Sequence, residues 1–147
     1  MSNEESLSGK KVLIGLTGRT DSAVAALLLK KQGMTVIGIS LVQAQNEMFK
    51  EEKFTPICHI TELEKVKELC NKLNITFYAS DSQARFRCDV IDPLVSARLV
   101  GESNNSCFDC NKMRIKVLYE KMKKLKADYI ATGHYCKVQK NLNSSQY

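Results

Sequence analysis

The stretch that decides the fold is KVLIGLTGRTDSAVAALLLKKQG, residues 11–33. Residues 12–16 form a short apolar run with β-branched side chains, which is typical of a buried strand. Asp21 and Ser22 favour a helix start, and residues 23–29 are apolar on every side, which predicts a helix buried against a sheet. Such a turn places backbone N–H groups and the positive end of a helix dipole at one point. It therefore suits a phosphate, although ordinary strand-to-helix turns share the pattern.

The composition predicts one globular domain spanning residues 1–147, with flexible ends at 1–10 and 139–147. The chain is 44% hydrophobic and 26% charged, which argues against disorder. Its polar, acidic start is neither a signal nor a transit peptide, and no apolar run approaches the roughly 20 residues that cross a membrane. We therefore expect a cytoplasmic location, no membrane partner, and six cysteines that are mostly reduced thiols.

Strands and helices alternate along the rest of the chain. Further strands are predicted at residues 34–42, 75–79 and 128–132, and helices at 63–73, 86–99 and 111–126. Thr61 and Glu64 form a capping box, Pro93 interrupts or restarts its helix, and the polar residues 43–56 are predicted to form a mobile lid. This alternation predicts a three-layer α/β domain with a parallel, Rossmann-like sheet and ligands at the carboxyl ends of the strands.

The positive charge is concentrated late in the chain. The net charge is +6, yet residues 111–140 hold nine basic and two acidic side chains. A basic segment on an otherwise nearly neutral domain favours a polyanion such as RNA, while a solvated lysine-rich helix face is the alternative. The candidate RNA contacts are Lys112, Lys116, Lys123 and Lys124.

The residues of the turn between the first strand and the first helix form a specific motif. LTGRTDS, residues 16–22, resembles the Ser-Gly-Gly-x-Asp-Ser loop of the PP-loop ATP pyrophosphatases and does not fit a Walker A loop. Residues 58–78, 110–117 and 127–135 are similar to the amino-terminal domain of the tRNA-specific 2-thiouridylases, so the resemblance covers nearly the whole chain. It implies the HUP-type fold of the adenine nucleotide alpha hydrolases.

The resemblance implies a chemistry as well as a fold. Members of this family adenylate the C2 oxygen of a tRNA wobble uridine with ATP, and then replace it with sulfur from a cysteine persulfide. ATP with Mg²⁺, tRNA and a persulfide-carrying donor protein are therefore expected. The family's second catalytic cysteine lies beyond the region that matches Tyr147, so we expect this chain to be part of a longer protein.

The family's functional positions can be carried over residue by residue. Asp21 and Cys110 are the implied catalytic residues, and Cys110 stands at a predicted helix start, where the dipole favours a thiolate. Asn105 matches a residue near the target base. The implied nucleotide-binding residues are Gly15, Leu16, Thr17, Gly18, Arg19, Thr20, Asp21, Ser22, Leu41, Gly133 and His134.

Two departures from the family pattern leave alternatives open. Arg19 replaces the loop's second glycine, and its guanidinium either reaches the phosphates or crowds them out. In the second case the chain would be a nucleotide- or RNA-binding module that has lost catalysis. Cys107 replaces an aspartate and creates Cys107-x-x-Cys110, which admits a four-iron four-sulfur cluster completed by Cys58 or Cys136, as in related RNA thiolases.

Two further predictions concern the remaining cysteines and an alternative enzyme class. Cys70, Cys88 and Cys136 are predicted to be small buried hydrophobes. A different adenylating enzyme on the same fold, such as an amidating one, is disfavoured by the pair Cys110-Asn111.

Overall fold

The computed structural model describes residues 7–43 and 63–137, and within them four parallel strands form one sheet. The strands are β1 (Lys11–Gly15), β2 (Thr35–Val42), β3 (Thr76–Asp81) and β4 (Tyr129–Ala131), in the spatial order β3-β2-β1-β4. In the register, Leu13 pairs with Ile37 on one side and with Ile130 on the other. The predicted parallel α/β architecture is therefore confirmed.

The helices connect the strands and cover both faces of the sheet. They are α1 (Thr20–Lys31), α2 (Leu63–Leu73), α3 (Gln83–Phe86), α4 (Asp92–Leu99) and α5 (Ser106–Leu125). A π-helical segment, Arg87–Ile91, joins α3 to α4. Pro93 lies in the first turn of α4 and has no N–H for the carbonyl of Asp89, so a regular α-helix cannot run through this point. The predicted restart at Pro93 is confirmed.

Apolar cores lie on the two faces of the sheet. On one face α1 and α2 cover β1 and β2, with Val12, Ile14, Val66 and Cys70 among the buried residues. On the other face α5 and the π-helical segment pack against the alternate residues of the same strands, and the buried side chains include Leu13, Ile37, Ile39, Val90, Met113, Val117 and Leu118. This alternation gives the predicted three layers.

The predicted burial of α1 against the sheet is confirmed, and it is confined to one face of the helix. Only Ser22 and Ala26 of this helix are buried, while Val24 and Leu28 are 47% and 53% exposed. Among the described residues α1 contacts the sheet along one stripe, and its small alanines and Ser22 allow that close approach. The apolar residues on the other sides of α1, such as Val24 and Leu28, are therefore left exposed.

Predictions about cysteines and about α5 need correction. Cys70 is buried as predicted, and burial raises the pKa of its thiol, but Cys88 and Cys136 are exposed. Helix α5 begins at Ser106 rather than at 111, because the Asn105 side chain caps it by accepting a hydrogen bond from Phe108 N at 3.2 Å.

Some predictions fall partly outside the described residues. Thr61 of the capping box and residues 44–56 of the predicted lid lie there, as do Cys58 and the chain ends at 1–6 and 138–147. Residues 9 and 10, within the end predicted to be flexible, are hydrogen-bonded to the chain around β2. Gly9 N donates to Gly33 O at 3.0 Å, and Lys10 O accepts from Thr35 N at 2.8 Å.

Candidate nucleotide and thiol site

The loop between β1 and α1 is fixed to β2 at its first residue. Leu16 N donates to Ile39 O at 2.8 Å, and the buried Ser40 hydroxyl donates to Leu16 O at 2.8 Å. Leu16 itself is 2% exposed. The phosphate-loop candidate therefore leaves the sheet from a rigid point at its carboxyl edge.

The loop then closes on the buried side chain of Ser22. Its Oγ donates to Arg19 O at 3.1 Å and lies 3.4 Å from Thr17 N, a donor that it can accept from. Gly18 has φ +83°, a conformation that favours glycine. Arg19 has φ −97° and ψ 161°, which is ordinary extended backbone. The arginine in place of the family's second glycine is thus accommodated without backbone strain.

The start of α1 leaves its first backbone amides accessible from solvent. Arg19 is the residue before the helix, and its side chain does not make a capping hydrogen bond to the first turn. The first amides of a helix lack partners within the helix and stand at the positive end of its dipole. Thr20 and Asp21 are exposed there, so a phosphate group can reach these amides from solvent.

The chain after β4 packs directly onto this helix start. A Cβ on Gly133 would lie 2.6 Å from Ser22 N and 2.9 Å from Asp21 C, so glycine is required for the close approach. Two residues later, the Tyr135 hydroxyl donates to Asp21 Oδ1 at 3.0 Å. This hydrogen bond and the nearby carboxylate charge raise the pKa of Tyr135. His134 Nδ1 lies 2.8 Å from Thr132 Oγ1, and its ring is exposed beside the loop.

The carboxyl end of β2 brings a thiol to the same edge of the sheet. Gln43, just beyond β2, places its amide Nε2 3.7 Å from Cys110 Sγ. Cys110 is half-buried against the α5 core and is the fifth residue of α5, not a residue at the helix start as predicted. Leu41 is 7% exposed and packs into that core, so its contact with adenine stays a prediction.

Further along α5, basic side chains form a stripe. Lys112, Lys116 and Lys123 are exposed and recur at helical spacing, so they share one face with Tyr119. Lys123 Nζ lies 4.4 Å from the centroid of the Tyr119 ring, which is 47% exposed as a residue. Lys124 is also exposed but lies about 100° further round the helix. We call the face formed by Lys112, Lys116, Tyr119 and Lys123 the lysine stripe; it presents positive charge and an aromatic ring together.

Asn105 and its neighbours shape the opposite end of α5. The Asn105 side chain caps the helix, which gives it a structural role whatever it binds. Beside it lies an open groove of about 480 Å³ between α4 and α5, lined by Leu94, Val95, Arg98, Leu99, Asn104 and Ser106. Asn104 Oδ1 is buried there without a hydrogen-bond partner among the described residues.

The described residues suit a Mg²⁺ ion better than an iron–sulfur cluster. Within residues 7–43 and 63–137, no three His, Cys, Asp or Glu side chains converge as a metal site, so Cys107 and Cys110 lack a third ligand there. The described residues therefore do not fit an iron–sulfur cluster, and Cys58 lies outside them. Asp21 does fit a Mg²⁺ that arrives with phosphates, because it is exposed at the helix start and has a second carboxylate oxygen beyond the one that Tyr135 contacts.

Three residues that build this site are not among the predicted site residues. Tyr135 was visible as the neighbour of Gly133 and His134, but its contact with Asp21 spans 114 positions. Ser40 falls in a predicted strand and Gln43 begins the predicted lid, but neither position signals these contacts, because an isolated polar residue at a strand end has many uses.

Comparison with known proteins finds relatives that carry the name tRNA-specific 2-thiouridylase MnmA. It is 40% identical over 136 residues to the tRNA-specific 2-thiouridylase MnmA of Clostridium botulinum, an alignment that covers 92% of this chain and 38% of the relative. The relative of the same name from Clostridioides difficile is 37% identical over 139 residues, covering 94% and 38%. This chain thus spans 38% of the length of these relatives.

Solved structures share the fold. A predicted subunit of tRNA methyltransferase from Methanocaldococcus jannaschii has a TM-score of 0.55 at 14% identity, covering 94% of this chain and 58% of that one. The glutamine-dependent NAD⁺ synthetase of Acinetobacter baumannii has a TM-score of 0.55 at 15% identity, covering 85% and 22%. These likenesses confirm the Rossmann-like fold.

The family model described as the tRNA methyl transferase HUP domain matches residues 10–147. In the described part of the chain, none of the helices is both long and apolar enough to span a bilayer. The predicted resemblance to the 2-thiouridylase amino-terminal domain is confirmed by the named relatives. The chain therefore belongs to the tRNA methyl transferase HUP domain family.

Proposed function

We propose that this chain is the ATP-binding domain of an enzyme that replaces a tRNA uridine oxygen with sulfur, and that Cys110 handles the sulfur. The observation that carries the proposal is the shared edge of the sheet. Residues 16–22 follow β1, Gln43 follows β2 and contacts Cys110, and Tyr135 follows β4 and contacts Asp21. Relatives named tRNA-specific 2-thiouridylase support this reading.

The phosphate loop serves the activation step. A uridine C2 oxygen is a poor leaving group until it attacks the α-phosphate of ATP, which releases pyrophosphate and leaves the oxygen adenylated. The first-turn amides of α1 and the exposed Arg19 side chain are suited to the negative charge of that pyrophosphate. Asp21 would hold Mg²⁺, which neutralises phosphate charge when it is bound.

Cys110 serves the sulfur step. The outer sulfur of a persulfide on Cys110 Sγ attacks C2, so that an S–C2 bond forms, the C2–O bond breaks, and AMP leaves with the oxygen and its electron pair. A second thiolate then attacks Cys110 Sγ, which forms a disulfide with Cys110, breaks the Sγ–S bond and leaves the outer sulfur on C2. The thiol is half-buried and contacts the Gln43 amide, so it is held in place while the thiols of Cys88 and Cys136 are exposed. We assign the sulfur to a persulfide-carrying donor protein, because a cysteine thiol has no outer sulfur to transfer until the Cys110 thiolate attacks the outer sulfur of a donor persulfide and the donor leaves as a thiolate.

The lysine stripe serves tRNA binding in this proposal. Lys112, Lys116 and Lys123 neutralise phosphates, and Tyr119 offers a ring on which an unpaired base can stack. The relatives are longer than this chain, so we expect the whole protein to add further domains that grip the tRNA and complete the reaction.

The test is calorimetric titration of MgATP into the chain. We expect heat of binding with wild type, its loss in Asp21→Ala, and its retention in Asp92→Ala, a matched control that removes an exposed carboxylate from the first turn of α4. Absence of binding by wild type at protein concentrations that detect millimolar affinity would contradict the proposal. If Arg19→Gly then restored binding, Arg19 would be the block, and the chain would be a module without catalysis.

A further inference from the structure

Two thiols lie close together in the first two turns of α5. Cys107 is the second residue of this helix and is exposed, while Cys110 is half-buried and contacts Gln43. Neither is in a disulfide in the structure. One thiol is thus open to solvent and the other is shielded, three positions apart on one helix.

The spacing of this pair on α5 is slightly longer than a disulfide requires. Side chains three apart on an α-helix have Cβ atoms about 5–6 Å apart, whereas a disulfide needs about 3.5–4.5 Å. The first turn of α5 is tighter than an ideal α-helix, because Phe108 N donates to Asn105 O at 2.9 Å while the regular bond from Asp109 N to the same oxygen is 3.3 Å long. Residues three apart nearly eclipse in such a turn, so the same tightening over residues 107–110 would close the remaining gap.

We propose that Cys107 and Cys110 form a reversible dithiol–disulfide couple that exchanges with low-molecular-weight disulfides. The exposed Cys107 thiolate attacks one sulfur of a glutathione disulfide, so that a Cys107–glutathione bond forms and one glutathione thiolate leaves. Cys110 Sγ then attacks Cys107 Sγ, which forms the Cys107–Cys110 bond and expels the second glutathione thiolate. The two cysteines lose two electrons, the small disulfide gains them, and the two thiol protons end on the two glutathiones.

The disulfide would have a direct consequence for sulfur handling, and this clause rests on the proposed function. Cys110 Sγ cannot carry a persulfide while it is bonded to Cys107. The oxidised chain would therefore be unable to take up sulfur until a dithiol reduced it. The couple itself requires neither ATP nor tRNA, so its test is independent of that function.

The experiment is equilibration of the chain in glutathione buffers, followed by acid quenching, alkylation and tryptic mass spectrometry. Trypsin cuts after Arg98 and Lys112, so residues 99–112 form one peptide that holds both cysteines. We expect this peptide to become two hydrogens lighter and to resist alkylation as the buffer becomes oxidising, with full reversal by dithiothreitol. Cys88→Ser with Cys136→Ser should leave that behaviour unchanged, since those exposed thiols lie outside the pair.

Single variants complete the test. Cys107→Ser and Cys107→Ala should abolish the lightened peptide, and Cys110→Ser should leave Cys107 carrying glutathione that nothing displaces. Circular dichroism checks that each variant is folded. The proposal is overturned if wild-type Cys107 and Cys110 remain thiols, or end as separate glutathione adducts, in buffers that modify Cys88.

Discussion

The Tyr135 hydroxyl donates a hydrogen bond to Asp21 Oδ1 at 3.0 Å, and so ties the chain beyond β4 to the first turn of α1. The contact is polar and exposed, because Tyr135 is 92% exposed. It orients one oxygen of the carboxylate and leaves the other for a cation. Gly133 supports the same junction by letting the two backbones approach closely.

This contact makes a pH-dependent prediction. Asp21 raises the pKa of Tyr135, through the hydrogen bond first and its charge second, so the neutral phenol is favoured in the folded chain. The contact is therefore present below the ordinary tyrosine pKa of 10.0 and is lost as pH rises through the raised value. Phenolate absorbance of wild type minus Tyr135→Phe isolates this residue. Asp21→Asn should move that titration to lower pH, and an unchanged titration would refute the contact.

Gly133→Ala should disturb the same junction from the backbone side. The added Cβ would lie 2.6 Å from Ser22 N, and backbone cannot move aside as a side chain can. We expect a loss of about 1–3 kcal/mol in the free energy of unfolding, typical of overpacking. Gly15→Ala is the control, because its Cβ would meet the flexible end of Leu118 at 3.3 Å and should cost less. Urea unfolding measures the free energy of unfolding of both variants. Equal losses would contradict the requirement for glycine at position 133.

The lysine stripe makes a prediction about salt. Lys116→Glu with Lys123→Glu should weaken tRNA binding and lower the slope of log affinity against log salt by about two, since each lost phosphate contact removes about one. Lys124→Glu should have a smaller effect because it lies off the stripe. Lys67→Glu with Lys72→Glu on α2 makes the same charge change on the other side of the sheet. If this control weakens binding equally, net charge alone explains the affinity.

The order of strands and helices could be predicted from the sequence, because each element carries its own periodicity. The β-branched run of β2 and the apolar stripe of α5 identify themselves locally. The start of α5 was missed although Asn105 is a good capping residue, since Asn-Ser also suits a turn. The π-helical segment had only Pro93 as a local signal.

The assembly of the site could not be predicted from local patterns. The contact of Asp21 with Tyr135 and that of Gln43 with Cys110 join residues 114 and 67 positions apart. Such pairs depend on which strands become neighbours and on where each loop turns. Local sequence fails to predict side-chain exposure for the same reason. Cys88 and Val24 are apolar residues on predicted helices, and only the packing of the folded chain shows that they are exposed.

Photolabelling with 8-azido-ATP in the presence of Mg²⁺ tests the location of the nucleotide site most directly. We expect labelled peptides from the loop at 16–22, from the end of β2 near Leu41, or from residues 132–135, and we expect excess ATP to prevent the labelling. Asp21→Ala should reduce it, while Asp92→Ala should not. Labelling that ATP prevents but that falls on α2 or α4 would contradict the claim that the three strand ends form the ATP site.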